Sequence, residues 1–486
     1  MSLNSGFQGL PISEVVPESI PAMKDGLSKS SLLVSRRKVR FQPQTGTSAN
    51  PGNIVQFVLA DSSSLLDVNS ATIGFTVTTT AGTTANAAAT PVSMDDGLSW
   101  CRRLQVALNG NLVSDVDNIH RYSNMEVYAA ADKAWYQSGA GGFAGFWKFN
   151  PDLALGAYPT GTNAPMAGAY NPAYADIEGD GTTTGGLHYA AGARQALGET
   201  RCIPLSLMDG FWRTKQYVPL NLLGELVISF TLASTVEAMF QLGAGGGATG
   251  YALTDIFMEC DLVQPHYLLQ ELMTKQANAD GENGIVIPYE SAIVSQGQTL
   301  QNGTSSVIIS RATNNLRRLL YAQQLTAGTS VITFPSVSCF GFNATTSWQV
   351  RCGSLYFPSQ PATSLARCSG LLQSTYGDAI NDKPGVYNIV TYGCTTAANG
   401  TVTTSWGGNH PKFAWSDNFI VGYNFDSYKN TGGTNVLDAD GLSVLGQAGS
   451  QVVVQVAQTG AVTPVVALLA TRYLSLMNGQ LRIIGV

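Results

Sequence analysis

The chain has 486 residues and a formal net charge of −6, enough for about two or three domains with cores of their own and without the basic field that holds nucleic acid electrostatically. Charged residues are 12% of the chain against about 25% in an average protein, so Thr, Ser, Asn, Gln and main chain must wet the surface, or copies of the chain must cover it. The seven cysteines, at 101, 202, 260, 339, 352, 368 and 394, are odd in number and form no CxxC pair, which excludes a fully paired disulfide framework and predicts free thiols in a reducing compartment.

In chain order, residues 1–34 carry Pro11, Pro17 and Pro21 among scattered Ser and Gly and are expected to form an extended arm that orders against a neighbour. No basic segment precedes an apolar run there, so no signal peptide is expected. Ser2 stands where N-myristoylation requires glycine. The basic knot "SRRKVR", Ser35 to Arg40, reads as a solvated strand edge or as charge turned toward packaged nucleic acid. From there a period of two dominates. In "ATIGFTVTT", Ile73, Phe75 and Val77 alternate with Thr72, Thr76 and Thr78; Leu104, Val106 and Leu108 share a face of "RRLQVAL"; Leu226, Ile228, Phe230 and Leu232 share one of "ELVISFTL". Each pattern predicts a sandwich strand with one buried and one wet face.

The segment "NIHRYSNMEVYAAADKAW", from Asn118, places Tyr122, Met125 and Ala129 at helical spacing. Residues 138–199, rich in Gly and Ala with little alternation, read as a long ordered surface loop, with a disordered insertion as the alternative. "LLQELMTKQA" from Leu268 groups Leu269, Leu272 and Met273 on a helix and sets Glu271 four residues before Lys275. "NADGENG" then breaks the helix before the strand "IVIPYE". The expected division is an arm over 1–34, a first unit over 35–267 containing the loop 138–199, a helical linker over 268–284 and a second unit over 285–486. The best membrane candidate, "VTPVVALLATRYLSLM", is interrupted by Arg472, and no stretch of 18 uninterrupted apolar residues exists, so no spanning helix is expected.

Two double arginines, in "LSWCRRLQVALNG" and "NNLRRLLYAQQL", each begin a strand some way before a terminal pair of long apolar strands. The first half closes on "LVISFTL" and "DIFMECDLV", the second on "QVVVQVA" and "YLSLMNGQLRIIGV". This order suggests a duplicated β-sandwich, with the paired arginines expected to protect a sheet edge in both copies.

The motifs of chemistry are missing. Gly245, Gly247 and Gly250 have GxGxxG spacing and Glu271 follows about 20 residues on, but the strand-like "YALTDIFMECDLV" comes after the glycines where a phosphate site needs a helix N-terminus. "DIEGDG" opens like a calcium loop with Asp176, Glu178, Asp180 and Gly181, yet Leu187 occupies the position of the bidentate Glu. "DADG", Asp438 to Gly441, is also short of ligands. His120, His188, His266 and His410 are isolated, so no zinc site is expected. There is no GxSxG elbow or GxxxxGK[ST] loop. Asp95, Asp96, Asp115 and Asp117 are candidates for an acid/base pair only if a fold joins them. No catalytic, cofactor or metal residue is assigned.

"CIPLSLMDGFWRTKQYVPLNLLGELVISFTLAS", Cys202 to Ser234, resembles the end of the first jelly roll of double-jelly-roll major capsid proteins, in the polinton-like virus and virophage branch of the adenovirus and tectivirus lineage. The resemblance rests on Ile203-Pro204-Leu205, Phe211 and Pro219-Leu220 before the strand from Leu226. "SLYFPSQPATS", with Phe357-Pro358 and Pro361, is similar to a strand and turn of the second roll. "FIVGYNFDSYKN", "GLSVLGQAGSQVVVQV" and "YLSLMNGQLRIIGV" look like its last strands.

What the resemblance implies is an all-β chain of two tandem jelly-roll sandwiches with short helices and long inter-strand loops. It implies a non-catalytic viral major capsid protein, forming pseudo-hexagonal homotrimers that assemble into the icosahedral shell of a double-stranded DNA virus. Its partners would be itself, neighbouring capsomers, and penton and minor capsid proteins, with no sequence-specific nucleic acid. Its place would be the virion, assembled inside the host cell, with an internal membrane undecided. The rival readings are a β-sandwich carbohydrate-binding or adhesin module using its 7 Trp and 19 Tyr, and a sandwich glycosidase with two spaced carboxylates.

Overall fold

The structure is a computed structural model that describes residues 33–80, 92–94, 97–130, 144, 199–214, 216–241, 250–278, 285–310, 315–325, 337, 340, 345–376, 394–396, 402–404, 419–425, 442, 451–458, 461–477 and 479–484. Outside them lie the expected arm up to residue 32, the loop 138–199 apart from Ala144 and Glu199, "DIEGDG", "DADG", Gly245, Gly247, Asp95, Asp96, His188 and His410.

Alternating apolar residues fold into sixteen principal strands. Eight come from the first half: β1 (Leu33–Phe41), β2 (Ile54–Leu59), β3 (Leu65–Thr80), β4 (Cys101–Leu108), β5 (Asn111–Asp117), β6 (Glu199–Pro204), β7 (Leu226–Leu232) and β8 (Gly250–Pro265). Eight come from the second: β9 (Ile285–Gln296), β10 (Gly303–Ile309), β11 (Leu316–Leu325), β12 (Ser347–Cys352), β13 (Leu355–Ala362), β14 (Ile420–Asn424), β15 (Val452–Gln458) and β16 (Val462–Met477). A last strand, β17 (Gln480–Ile484), folds back on the end of β16.

In the first half the sheets run β1-β8-β3-β6 and β2-β7-β4-β5, and in the second β9-β16-β11-β14 and β10-β15-β12-β13. Adding eight to each strand number of the first pair gives the second pair. Every one of these ladders is antiparallel, and each sandwich has the eight strands and two sheets of a jelly roll. The helices repeat as well: α1 (Ile119–Ala130) follows β5, and its counterpart α3 (Leu365–Tyr376) follows β13, while α2 (Tyr267–Ala277) lies between the sandwiches in sequence.

The expected faces are the observed ones. Ile73, Phe75 and Val77 are buried while Thr72, Thr76 and Thr78 are half-buried, and β4 and β7 alternate along their length. Phe75 of one sheet and Phe230 of the other flank Trp100, with ring centroids 5.1 Å apart for Phe75 and Trp100 and 5.4 Å for Trp100 and Phe230, and Phe57 meets Phe230 edge to face at 6.1 Å. The apolar run "VTPVVALLATRYLSLM" is β16, a central strand buried almost throughout. Both α1 and α2 pack against it. Among the described residues no helix is long and apolar enough to cross a bilayer.

Helix α1 ends at Ala130 within the described residues, and Ile119 to Ala129 are buried on every side, because it packs between the sandwiches against β16 and α3. In α2, Lys275 and Glu271 meet at 2.7 Å as the i,i+4 spacing predicts.

The double arginines depart from expectation in two ways. Strand β4 runs between β7 and β5, and β11 between β16 and β14, so neither pair guards an edge. The two strands are also not counterparts, since β11 answers to β3 and β4 to β12. The duplication is carried by strand order, and the RRL match across it is a coincidence. Among the described residues the charged edge is β1, which pairs with β8 at the end of its sheet. There Arg36 reaches Asp67 and Asp261, Arg37 reaches Asp61 at 2.8 Å, and Arg40 lies over the Phe257 ring. "SRRKVR" is thus a solvated edge whose cations are largely answered by local carboxylates and an aromatic face.

Candidate functional site at the junction of the two sandwiches

The chemistry-bearing side chains concentrate where the sandwiches meet. Strand β9 packs on β5 and on the short turn of helix Gly210–Arg213. Gly210 is required here: a Cβ on it would stand 2.5 Å from the carbonyl oxygen of Glu290. Tyr289 Oη donates to the Val113 carbonyl at 2.9 Å and Thr214 Oγ1 to the Pro288 carbonyl at 3.1 Å, so side chains bond the two backbones directly. Phe211 meets Tyr289 edge to face at 5.7 Å.

Behind this seam sit two carboxylates and two guanidiniums. Glu126 comes from α1 and Arg213 from the turn, both in the first sandwich; Glu290 comes from β9 and Arg318 from β11, in the second. Arg213 donates through both terminal nitrogens to the Glu126 carboxylate, with Nη2 to Oε2 at 3.0 Å, and its Nε donates to the Ser206 carbonyl at 2.6 Å. Arg318 Nη2 donates to Glu290 at 2.6 and 2.7 Å and lies 3.4 Å from Glu126. The Arg318 guanidinium also faces the Tyr376 ring at 5.0 Å. The Glu126 and Glu290 side chains are only 4% and 8% exposed.

Burial alone would raise the Glu126 carboxyl; the charges of Arg213 and Arg318 override it and hold it at about 2. The same contacts push both guanidiniums up against the lowering effect of burial. Two carboxylates face two guanidiniums, so the formal charges of the cluster balance. They are placed to hold two bodies in register, because a buried ion pair tolerates little displacement.

A second set joins the same parts. Arg121 of α1 donates to Gln324 Oε1 on β11 at 3.0 Å, to Asn118 Oδ1 at 2.6 Å and to Glu237 Oε1 at 3.3 Å. His120 stands 3.7 Å from Glu237; burial, then the charge of Arg121, lowers its pKa. Asp209 caps the Gly210 turn, accepting from its N–H at 2.8 Å and from Ser114 Oγ at 2.7 Å. Burial pushes Asp209 up to about 6 against these bonds.

Of the residues singled out from sequence, the fold separates most. Asp115 and Asp117 are on β5, where Arg103 grips Asp115 with two bonds of 2.7 and 2.8 Å and Arg102 lies 3.7 Å from Asp117. Both pairs line an open cleft of about 1150 Å³ between the sandwiches. Each carboxylate faces its own arginine, an arrangement of ion pairs and not of an acid beside a base. Gly250 opens β8, a strand and not a phosphate-binding helix. His120 and His266 lie apart on α1 and before α2. Cys101, Cys260, Cys352 and Cys368 are free and buried, and Cys202 is free and exposed. Among the described residues no three His, Cys, Asp or Glu side chains group as metal ligands.

Sequence reasoning missed the junction cluster, whose members stand at 126, 213, 290 and 318. A usable signal was present: Glu126 sits in "NMEVYAA" and Glu290 in "IVIPYESAIV", single charges inside apolar segments of a chain with few charges.

No family model and no curated protein matches the sequence. Solved structures do match. PBCV-1 VP54, fitted into a cryo-EM reconstruction of the virophage Sputnik, has a TM-score of 0.55 at 10% identity over 94% of this chain and 98% of that one. The PBCV-1 virus capsid has a TM-score of 0.51 at 10% identity over 94% of this chain and 98% of that one. The Faustovirus major capsid protein has a TM-score of 0.50 at 9% identity over 92% of each chain. The chain has the double-jelly-roll fold of these viral capsid structures.

Proposed function

We infer that the chain is a non-catalytic viral major capsid protein. On this reading three copies form a pseudo-hexagonal homotrimer, and trimers assemble into the icosahedral shell of a double-stranded DNA virus. One observation carries it: two jelly rolls of identical strand order are fixed to each other by a buried, neutral charge cluster. Three such chains offer six similar sides, the shape that tiles a near-hexagonal sheet. Likeness to capsid structures along nearly the whole chain supports the reading, as does the low charge, which limits repulsion between copies.

The parts then divide into an arm over 1–34, a first roll over 35–267, a linker over 268–284 and a second roll over 285–486. The arm runs to neighbours, the place of action is the virion, and penton and minor capsid proteins complete the shell. The test is the mass of the purified protein by light scattering after size exclusion, with negative-stain images of the same peak. A species of three times the 51.3 kDa chain with six-sided outlines is expected; a monomer at every concentration, with no lattice on crowding, overturns the reading.

A further inference from the structure

Helices α1 and α3 are counterparts of equal length, 12 residues each, and their surroundings differ. Residues 119–129 of α1 are all buried, because the helix packs between the sandwiches; in α3 only Cys368, Leu372 and Thr375 are buried, while Ala366, Arg367 and Gly370 are exposed. The sheets differ in the matching way. Strand β16, against which α1 packs, is buried almost throughout. Its counterpart β8 alternates, and Thr72, Thr76 and Thr78 of β3 lie half-buried beside it. The second roll thus carries a helix that lacks a covering sheet, and the first roll a sheet that lacks a covering helix.

Two residues of α3 fit such a cover. Arg121 and Arg367 are each the third residue of their helix. Arg121 crosses the junction to Gln324 on β11 at 3.0 Å, whereas Arg367 is exposed and donates to the Gln360 carbonyl of its own roll at 3.0 Å. Gln324 is paired with Thr463 at the start of β16; the residue in that place in the first roll is Thr78, paired with Ala252 at the start of β8. The other residue is Gly370. Glycine inside a helix destabilises it, and a Cβ at Gly370 would meet nothing within 4 Å among the described residues, unlike one at Gly422, which would stand 2.6 Å from Thr375 Oγ1. Its missing side chain leaves room for a close approach from outside the chain.

We propose that α3 of one copy docks on the open face of the β1-β8-β3-β6 sheet of the next copy, as α1 docks on β9-β16-β11-β14 within the chain. Arg367 is then directed to Thr78 of the next copy, and Gly370 lies against its sheet. Strand β13 comes beside the next copy's β1 as β5 lies beside β9. The occupant is a second copy because the surface that covers α1 has its counterpart in the first roll, and there it is free. The contact joins two unlike patches, so it is head-to-tail, and in a ring of three each is used once. This rests on the trimer reading and adds to it the surface through which copies meet.

Bulk and proximity test it. Gly370→Trp places a large side chain in space that the single chain leaves open, so its circular dichroism melt should match wild type. Light scattering across a concentration series should show its concentration of half-association raised about tenfold or more. Arg367→Glu, at a position already exposed, should weaken association in the same direction. Arg367→Cys combined with Thr78→Cys should give dimer and trimer bands on non-reducing gels after mild oxidation with diamide, beyond those of wild type and of each single cysteine variant. A wild-type trimer in which the cysteine pair adds no bands, or which Gly370→Trp and Arg367→Glu leave unchanged, overturns the docking while the capsid reading stands. A wild type that never leaves the monomer overturns both.

Discussion

Strands β1 and β9 hold the same place in their sheets, each the outer strand beside the long last strand of its roll, yet their chemistry is opposite. Strand β1 reads LVSRRKVRF and is mostly exposed from Ser35 onward; β9 reads IVIPYESAIVSQ and is buried along most of its length. The fold is the same and the neighbourhood is not. The first roll lies against β9, whereas among the described residues β1 ends its sheet and most of its side chains are exposed. What the comparison teaches is that strand order fixes the ladder while the surroundings of each copy choose its residues. Duplicated sheets can therefore be unmistakable in topology and invisible in sequence identity.

The comparison breaks hardest at Arg318. Arg318→Met leaves Glu290 buried without its short bonds and Glu126 with one arginine, and should cost about 3–5 kcal/mol in urea unfolding. Pairing it with Glu290→Gln should cost less than the two single changes together, and simple additivity would show that these groups do not couple. Gly210→Ala comes next: its new methyl meets the Glu290 backbone, and about 1–3 kcal/mol of destabilisation is expected, read from a lowered melting temperature. On β1, by contrast, Arg36→Ala and Arg37→Ala should each cost about 0.2–1 kcal/mol at low salt, and the difference from wild type should shrink in molar salt. Losses as large as at the junction would erase the distinction between the strands.

Acid sharpens the junction side. Glu126 is lowered by folding from 4.5 to about 2, so its contribution is whole above pH 4.5 and is lost as pH falls from there toward 2. Asp209 is raised from 3.8 to about 6, so its ionisation works against the fold as pH rises from 3.8 through 6. Melting curves between pH 3 and 8 should therefore flatten at the acid end in Glu126→Gln and near pH 5 in Asp209→Asn. Unchanged profiles in both would remove these carboxyls from the account.

The strands were legible in the sequence because alternation is local: Leu226, Ile228, Phe230 and Leu232 announce their face within seven residues. Helix α1 was legible in its spacing, while its burial on all sides was not, since that depends on β16 more than 300 residues away. The doubling was inferred for a partly mistaken reason. The arginine pairs stand out because charge is scarce, but equivalence between the rolls is written in which strand pairs with which, and pairing is a long-range property. The junction stayed hidden for the same cause: its four ions meet only after both rolls have closed.

That long-range pairing bears on how the chain is made. Residues 33–41 find their ladder partners at 258–265, so at about 5–20 residues per second strand β1 waits some tens of seconds after synthesis for β8 to emerge. A sticky apolar strand would spend that interval seeking wrong partners on neighbouring ribosomes; one reading SRRKVR stays dissolved. Strand β9 emerges only after the first roll is complete, with a finished surface ready to receive it. Its apolar sequence is safe because of its place in the order of translation.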